Sequence, residues 1–456
     1  MSLSAFLLST LCAVTPDVAP NDWTILFYGG VDNSAEESFC PDIEDMRKRL
    51  PEAGKVEVFC LVDRSEGFTA STKGFGADFH DTRLYQLKRE GAVRLDGRPE
   101  LADITLDSTY EANTADAKLV RDYIRWAKAH HPARRTALVF YTHGNGWLFC
   151  PDETAGDDEL YPAELTDVLV AEDSLDLVVF DVCEMASLED AWQWRPGTGG
   201  FGFDVMVATP MAGFPFPWNE IFRRFDDPAN LSAVDFGRFV VEETEKQRRA
   251  ELASGEVPAQ MRGMVEKEAM SCLRLDRVGA VKEALDALAV VLAADERTED
   301  VLFDLRAGRD EDAVLHYFAA SPLYADVLDL AEQVRDDEEL PDAARSAAGA
   351  LVDATDELVV ASYGLSAYDR FGGFQSGRHG VQLMLPPLGL AMREAWARLS
   401  FLTPDTCPSG TRGYGRYAFC RDGATPGDGV VTNWWELLDL TFDPDDEDGG
   451  ANGYAP

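Results

Sequence analysis

From residue 23 onward, short runs of consecutive apolar residues alternate with stretches in which apolar residues recur every three or four positions. The short runs, at 24–28 (TILFY), 56–62 (VEVFCLV), 137–141 (ALVFY), 175–180 (LDLVVF) and 205–209, are apolar on both faces, as strands sandwiched between two helical layers must be. Between them, 38–50 reads as a helix stopped by Pro51. The stretch 118–130 reads as a helix closed by Pro132, with Leu119, Tyr123, Ile124, Trp126 and Ala127 on one side. A short strand is expected over 82–87, a helix running through Leu169 after an acidic loop at 152–159, and a helix over 184–194. Strand and helix in alternation predict an α/β fold with a mostly parallel central sheet.

Beyond residue 235 the pattern changes. Residues 236–360 are rich in Ala, Leu, Glu and Asp at helical spacing, without strand-like alternation. A late apolar run at 379–386 (HGVQLMLP) reads as a strand rejoining the sheet. The expected organisation is a leader-like or packed segment at 1–20, a core at 21–235 and a helical region at 236–360. A C-terminal region at 361–442 carries the late strand, and an acidic, Gly-rich tail at 443–456 is expected to be disordered. There is no internal repeat.

Charge narrows the range of partners. The 456 residues carry 82 acidic and 41 basic side chains, a formal net charge of −41, and only nine of the basic residues are Lys. Non-specific binding to nucleic acid needs a basic surface, so nucleic acid is not an expected partner. The acidity itself reads first as solvation or salt adaptation, and attraction of a basic ligand is the second reading. No stretch approaches 18 apolar residues, so no membrane span is expected. The run 5–14 resembles a short secretory core, but no Lys or Arg precedes it and no small-x-small site follows. The compartment is left open, with the balance tipping to the cytoplasm over secretion. The sequence carries no signature of oligomeric state.

None of the eight Cys residues forms a C-x-x-C pair, and the six His show no zinc-ligand spacing. Cys407 and Cys420 could bridge in an oxidising compartment. Two other residues stand out because two strands of the predicted parallel sheet end on them: 137–141 runs into Thr142-His143-Gly144, and 175–180 into Asp181-Val182-Cys183. Sites in open α/β sheets collect at the carboxyl ends of strands. A helix starting after Cys183 would favour its thiolate, and His143 on a neighbouring strand would be its base. The backbone N–H groups of Gly144 and Cys183 would then form an oxyanion hole. Taken alone, a Cys closing an apolar strand is more often a core thiol, and a His before Gly more often a turn.

The surrounding residues add a resemblance. Tyr141-Thr142-His143-Gly144-Asn145-Gly146-Trp147 resembles the His-Gly-x-Gly-Trp motif of the clostripain family of cysteine peptidases. Phe180-Asp181-Val182-Cys183-Glu184-Met185 is similar to that family's Phe-Asp-x-Cys-x-Met motif, and Glu189 matches an acidic position after it. Val62-Asp63-Arg64, Thr82-Arg83-Leu84-Tyr85, Asn113-Thr114-Ala115-Asp116, 123–127, 157–165 and 379–386 fit the pattern in order. The likeness spans roughly 23–218 and then thinly to Trp435. It implies a caspase-like three-layer sandwich, plus the largely helical C-terminal region, and hydrolysis of peptide bonds in a protein or peptide substrate. It further implies a His143/Cys183 dyad needing no third member, and no required cofactor, although calcium helps some relatives.

The family's preference for Arg or Lys before the scissile bond implies acidic groups in the pocket. Asp181 matches one of them, and its other reading is a cap on the following helix. Where the family has Ser followed by acids, this chain has Thr209-Pro210-Met211, so Pro210 and Met211 are expected to give a more apolar pocket, with Thr209 and Met211 contacting the substrate. The family's self-cut after a basic residue has no counterpart between Gly144 and Asp181, which holds no Lys or Arg. The chain would act uncut, be cut elsewhere, for instance after Arg195, or be opened by another protease. Asp152, Asp157 and Asp158 are weak calcium candidates, read first as a solvated acidic loop. Asp32, Asn33 and Glu36, after the first strand, would line the site's rim or cap a helix. The alternatives to a simple endopeptidase are a non-catalytic caspase-like module that binds peptides or partners, and a regulatory protease switched on through 236–360.

Overall fold

The computed structural model describes residues 20–51, 55–196, 200–255, 257–307, 315, 317, 323–368, 374–386, 414–425 and 429–442. Elements are numbered in chain order. The strands are β1 (Asn21–Gly30), β2 (Val56–Asp63), β3 (Arg83–Lys88), β4 (Gly91–Arg94), β5 (Ala133–Tyr141), β6 (Phe149–Asp152), β7 (Asp158–Leu160), β8 (Leu175–Asp181), β9 (Phe203–Ala208), β10 (Ala269–Arg274), β11 (Tyr324–Asp326), β12 (Val359–Gly364) and β13 (Gln382–Met384). Nine of them form one sheet in the order β12-β10-β9-β8-β5-β1-β2-β3-β4. Its central five, β9-β8-β5-β1-β2, are parallel, and antiparallel strands finish both edges.

The apolar runs are continuous because both faces of these strands are covered. Ile25, Phe27, Val139, Tyr141, Leu177 and Val179 point to one side. There they pack with α1 (Glu36–Arg47), α5 (Trp218–Ile221), α6 (Ala233–Ser254) and α7 (Ala259–Val265). Leu26, Tyr28, Leu138, Phe140, Val178 and Phe180 point to the other. That side carries α2 (Ala117–His130), α3 (Pro162–Val168), α4 (Leu188–Gln193), α8 (Val278–Ala293), α9 (Thr298–Ala307), α10 (Val327–Asp336), α11 (Asp342–Leu358), α12 (Ala418–Arg421) and α13 (Trp434–Phe442). The result is a three-layer sandwich. In α2, Asp116 caps the first turn by accepting from the Lys118 N–H, and Val120, Tyr123, Ile124 and Ala127 form the buried stripe. Among the described residues, no helix is long and apolar enough to cross a membrane.

Several expectations are corrected. The region 236–360 is not purely helical: it supplies β10, β11 and the first two residues of β12. In β10, Ala269 to Leu273 are all buried, so nothing alternates to reveal a strand. Its helices cover both faces of the sheet and share the two main cores instead of forming a body of their own. The run at 379–386 does not rejoin the sheet; it contributes β13, which pairs with β11 in a separate ribbon, and β12 is the strand that returns to the sheet edge. The acidic loop at 152–159 is the tip of a β6–β7 hairpin. Cys420 is a buried free thiol, while Cys407, residues 1–19 and the tail from 443 lie outside the described residues.

Candidate active site

β5 and β8 lie side by side, with Tyr141 opposite Asp181, so the chain leaves both strands at the same edge and reaches His143 and Cys183 two residues later. The Thr142 hydroxyl donates to the Gly30 carbonyl at 2.6 Å, and its N–H to the Asp181 carbonyl at 3.4 Å, which ties the His143 loop to β1 and β8. The His143 carbonyl accepts from the Cys150 N–H at 2.9 Å. Gly144 is needed for a close approach: a Cβ there would sit 2.5 Å from Val182 Cγ1 and 3.2 Å from the Cys183 carbonyl oxygen. His143 and Cys183 line one cleft, together with Ser34, Tyr141, Asp181, Thr209 and 213–216.

The loop carrying Cys183 differs from expectation. No helix starts at Glu184; α4 begins at Leu188, capped by Ser187, whose hydroxyl accepts from the Asp190 N–H at 3.0 Å. Cys183 lies instead in a turn in which Glu184 takes φ +67, a left-handed conformation unusual for a non-glycine residue. The turn is held by Glu184 N–H to the Met211 carbonyl (3.1 Å) and Ala186 N–H to the Thr209 carbonyl (3.0 Å). It is backed by β13: the Gln382 side chain donates to the Glu184 carbonyl at 2.5 Å and its N–H to the Ala186 carbonyl at 2.9 Å. Glu189 accepts from the Met384 N–H and the Tyr414 hydroxyl.

Without a helix dipole behind it, the Cys183 thiol is pushed up by burial, with the Glu184 and Asp181 charges adding to that shift and a hydrogen bond to the Gly213 carbonyl opposing it. Partial desolvation lowers the His143 pKa. Both shifts favour the uncharged forms, a thiol and a neutral imidazole lining the same cleft. His143 Nε2 lies 2.9 Å from Ser34 Oγ. Among the described residues, the backbone N–H groups of Gly144 and Cys183 have no partner within the protein.

Sequence and structure comparisons bear on the family and the fold. A profile described as the clostripain family matches residues 27–400. Clostripain from Hathewaya histolytica is 30% identical over 485 residues, spanning 94% of this chain and 89% of that protein. The chain belongs to the clostripain family of cysteine peptidases. Two solved structures share its caspase-like fold. One is an inactive zymogen protease from Parabacteroides distasonis, with TM-score 0.56 and 16% identity over 89% of this chain and 99% of that one. The other is a secreted cysteine protease from Bacteroides thetaiotaomicron in complex with an irreversible peptide inhibitor, with TM-score 0.54 and 17% identity over 83% and 97%.

In this clostripain-family chain the pocket beside His143 and Cys183 is built differently from expectation. Asp181 does not cap a helix. It is buried at the end of β8, where its carboxylate accepts from the Trp218 Nε1–H at 2.8 Å and from the Phe216 N–H at 3.2 Å. Burial nevertheless pushes its pKa up to about 8. The Asp42 carboxyl, raised by burial to about 6, lies behind Tyr141, whose hydroxyl donates to it at 2.6 Å. Thr209 lines the cleft, but its hydroxyl is committed to the Val182 and Met211 carbonyls. Met211 does not reach the pocket: its side chain packs with Ala269, Leu315, Tyr317 and Tyr368. The apolar walls come from Phe214, Pro215 and Phe216, which carry no motif to reveal them. Ser34 was equally invisible by type, although its position after β1, the strand next to β5, follows the strand-end rule.

The calcium candidates are not gathered into a site. Asp152 is buried and saturated by Thr114, Thr154 and Ala155, Asp157 is exposed at the hairpin tip, and Asp158 accepts from the Asn113 side chain. Asn33 ties its own loop to the Gly30 and Pro151 carbonyls, and Glu36 pairs with buried Arg64. Arg195 stacks on Trp192 and pairs with Asp422 at 2.8 Å, so a cut after it would require pulling the side chain out.

Proposed function

We propose that the chain is an endopeptidase working through a Cys183/His143 dyad, with a preference for Arg or Lys before the scissile bond. His143 Nε2–H donates to Ser34, which leaves Nδ1 as the lone pair that takes the Cys183 proton. The thiolate attacks the peptide carbonyl, and the N–H groups of Gly144 and Cys183 hold the oxyanion. The imidazolium then protonates the leaving amine, and water hydrolyses the thioester. The observation that carries the reading is the shared cleft at two adjacent strand tips, lined by thiol and imidazole, with two backbone donors left for the oxyanion.

The basic preference is supported by Asp181 in the cleft between aromatic and Pro walls, a setting in which a guanidinium gains a charge-assisted pair away from water. No Lys or Arg lies between Gly144 and Asp181, so activity as an uncut chain is part of the proposal. The test is a positional peptide library incubated with the wild type and with Cys183→Ala, with and without calcium. Cleavage after Arg or Lys that disappears in Cys183→Ala is expected. Absence of any Cys183-dependent cleavage would sink the mechanism, and a different preferred residue would sink the role of Asp181.

A further inference from the structure

The cleft that holds Cys183 and His143 does not end at its apolar wall. Phe214 and Pro215 of that wall, with Ser38 of α1, also line a second groove of about 460 Å³, so the two spaces are continuous. Both lie on the α1 side of the sheet. Tyr141 and, by the alternation along β8, Asp181 point to that side. Ser38, Pro41 and Asp42 follow one another along one face of α1, the first lining both spaces and the other two the groove alone. The end of α6 and α7 close the groove, and the peptidase mechanism does not use it.

The chemistry of the groove is apolar. Pro41, Phe214, Val257, Pro258, Met261 and Val265 supply the larger share of its lining. The charged groups that line it are engaged within the protein. Arg248 donates to Glu268 at 2.9 Å, to the Pro215 carbonyl at 2.7 Å and to Glu251 at 3.2 Å, and Asp42 accepts from the Tyr141 hydroxyl at 2.6 Å. The lip is α7, a helix of seven residues on which Met261 is 38% exposed and Met264, one turn on, 46%. Two exposed Met side chains beside a substrate cleft gain by covering apolar surface, and their unbranched chains adapt to partners of different shape.

We propose that this groove receives a large apolar side chain of the substrate, two residues before the basic residue whose cation meets Asp181. The proposal rests on the peptidase reading of the cleft. His143, which protonates the leaving amine, lines the cleft but not the groove, and the same holds for Cys183. The groove therefore serves the residues on the acyl side of the scissile bond. In an extended peptide, successive side chains point to opposite faces, and those two residues apart share a face at a separation of about 6.6–6.8 Å. The basic side chain enters on the α1 side, the residue before it points away, and the one before that returns to the α1 side, against Val257 and Met261. The space is within the range of about 300–1,000 Å³ found for small-ligand sites, enough for Leu, Met or Phe.

The test uses the full-length protein and Arg peptides that differ only two residues before the Arg, where they carry Gly, Leu or Phe. An acetyl-Arg amide reporter, too short to reach the groove, is run beside them. In the wild type, kcat/KM for the Leu and Phe peptides should exceed that for the Gly peptide about ten- to hundredfold. The variants are read by the same ratio within each protein. Met261→Glu, at an exposed position, should reduce the advantage at least fivefold. Ser254→Trp, also at an exposed position, fills the groove from the end of α6 and should turn the preference towards Gly. Equal kcat/KM for the three peptides in the wild type overturns the proposal, as does an apolar advantage that both variants keep. A wild type that cuts the short reporter but ignores the distal residue refutes this proposal alone. Failure to cut the reporter at all refutes the reading of the cleft, and the groove's assignment with it.

Discussion

Replacing Asp181 with Asn isolates the charge at the base of the cleft from everything else the carboxylate does. An Asn oxygen in the place of Oδ2 still accepts from Trp218 Nε1–H and Phe216 N–H, so the wall formed by 214–216 keeps its anchor. What is lost is the negative charge offered to a substrate cation. Removing one partner of a buried, hydrogen-bonded charge pair costs about 2–5 kcal/mol. The free enzyme holds Asp181 near a pKa of about 8, so at pH 7 the carboxyl must first lose a proton, which offsets about 1.4 kcal/mol of the gain from the pair. The net loss expected at pH 7 is about 1–3.5 kcal/mol, or roughly 5- to 400-fold in kcat/KM for an Arg substrate, and it widens towards pH 9.

The assay compares kcat/KM for matched peptides carrying Arg or citrulline before the scissile bond, from pH 6 to 9. A carboxyl with a raised pKa is neutral below that pKa and charged above it. Wild-type kcat/KM for Arg should therefore climb with pH and level off above about 8, whereas the Asn variant should lack that rise and the citrulline substrate should not show it. An equal loss for both substrates, or an unchanged Arg-to-citrulline ratio, would refute the reasoning.

Two further substitutions probe the supports of the cleft. Ser34→Ala removes the partner of His143 Nε2, and kcat should fall about two- to tenfold with little change in KM; a drop in KM selectivity with kcat intact would show that Ser34 only shapes the cleft. Arg248→Met strips the buried Glu268 of its 2.9 Å partner and the Pro215 carbonyl of a 2.7 Å donor. Urea denaturation should show a loss of about 3–5 kcal/mol, and a loss below 1 kcal/mol would mean that Glu268 is protonated and needs no cation.

The parallel core was legible because its strands are apolar on both faces, a pattern that few other environments produce, and the meeting of His143 and Cys183 in one cleft was legible because both follow such strands. The edges were not. β10 is as buried as the central strands but is built of Ala, Met, Ser, Cys and Leu, residues equally at home in a helix. The stretch 184–187 has the composition of a helix start, and the chain turns there because its N–H groups are taken by the carbonyls of Thr209 and Met211, a partnership that only the assembled sheet creates. Met211 was misplaced for the same reason: sequence distance from the nucleophile does not say which way a side chain points once the strand has ended.

The support of the nucleophile turn by Gln382 also sets a clock on synthesis. The Glu184 carbonyl and the amide that braces it are 198 residues apart in the chain. At about 5–20 residues per second, a ribosome needs roughly 10–40 s to travel from one to the other. Through that interval the five parallel strands can already be in place while the turn carrying Cys183 still lacks its backing. A nascent chain would thus leave the exit tunnel with Cys183 and His143 made but the turn after β8 unbraced until β13 arrives.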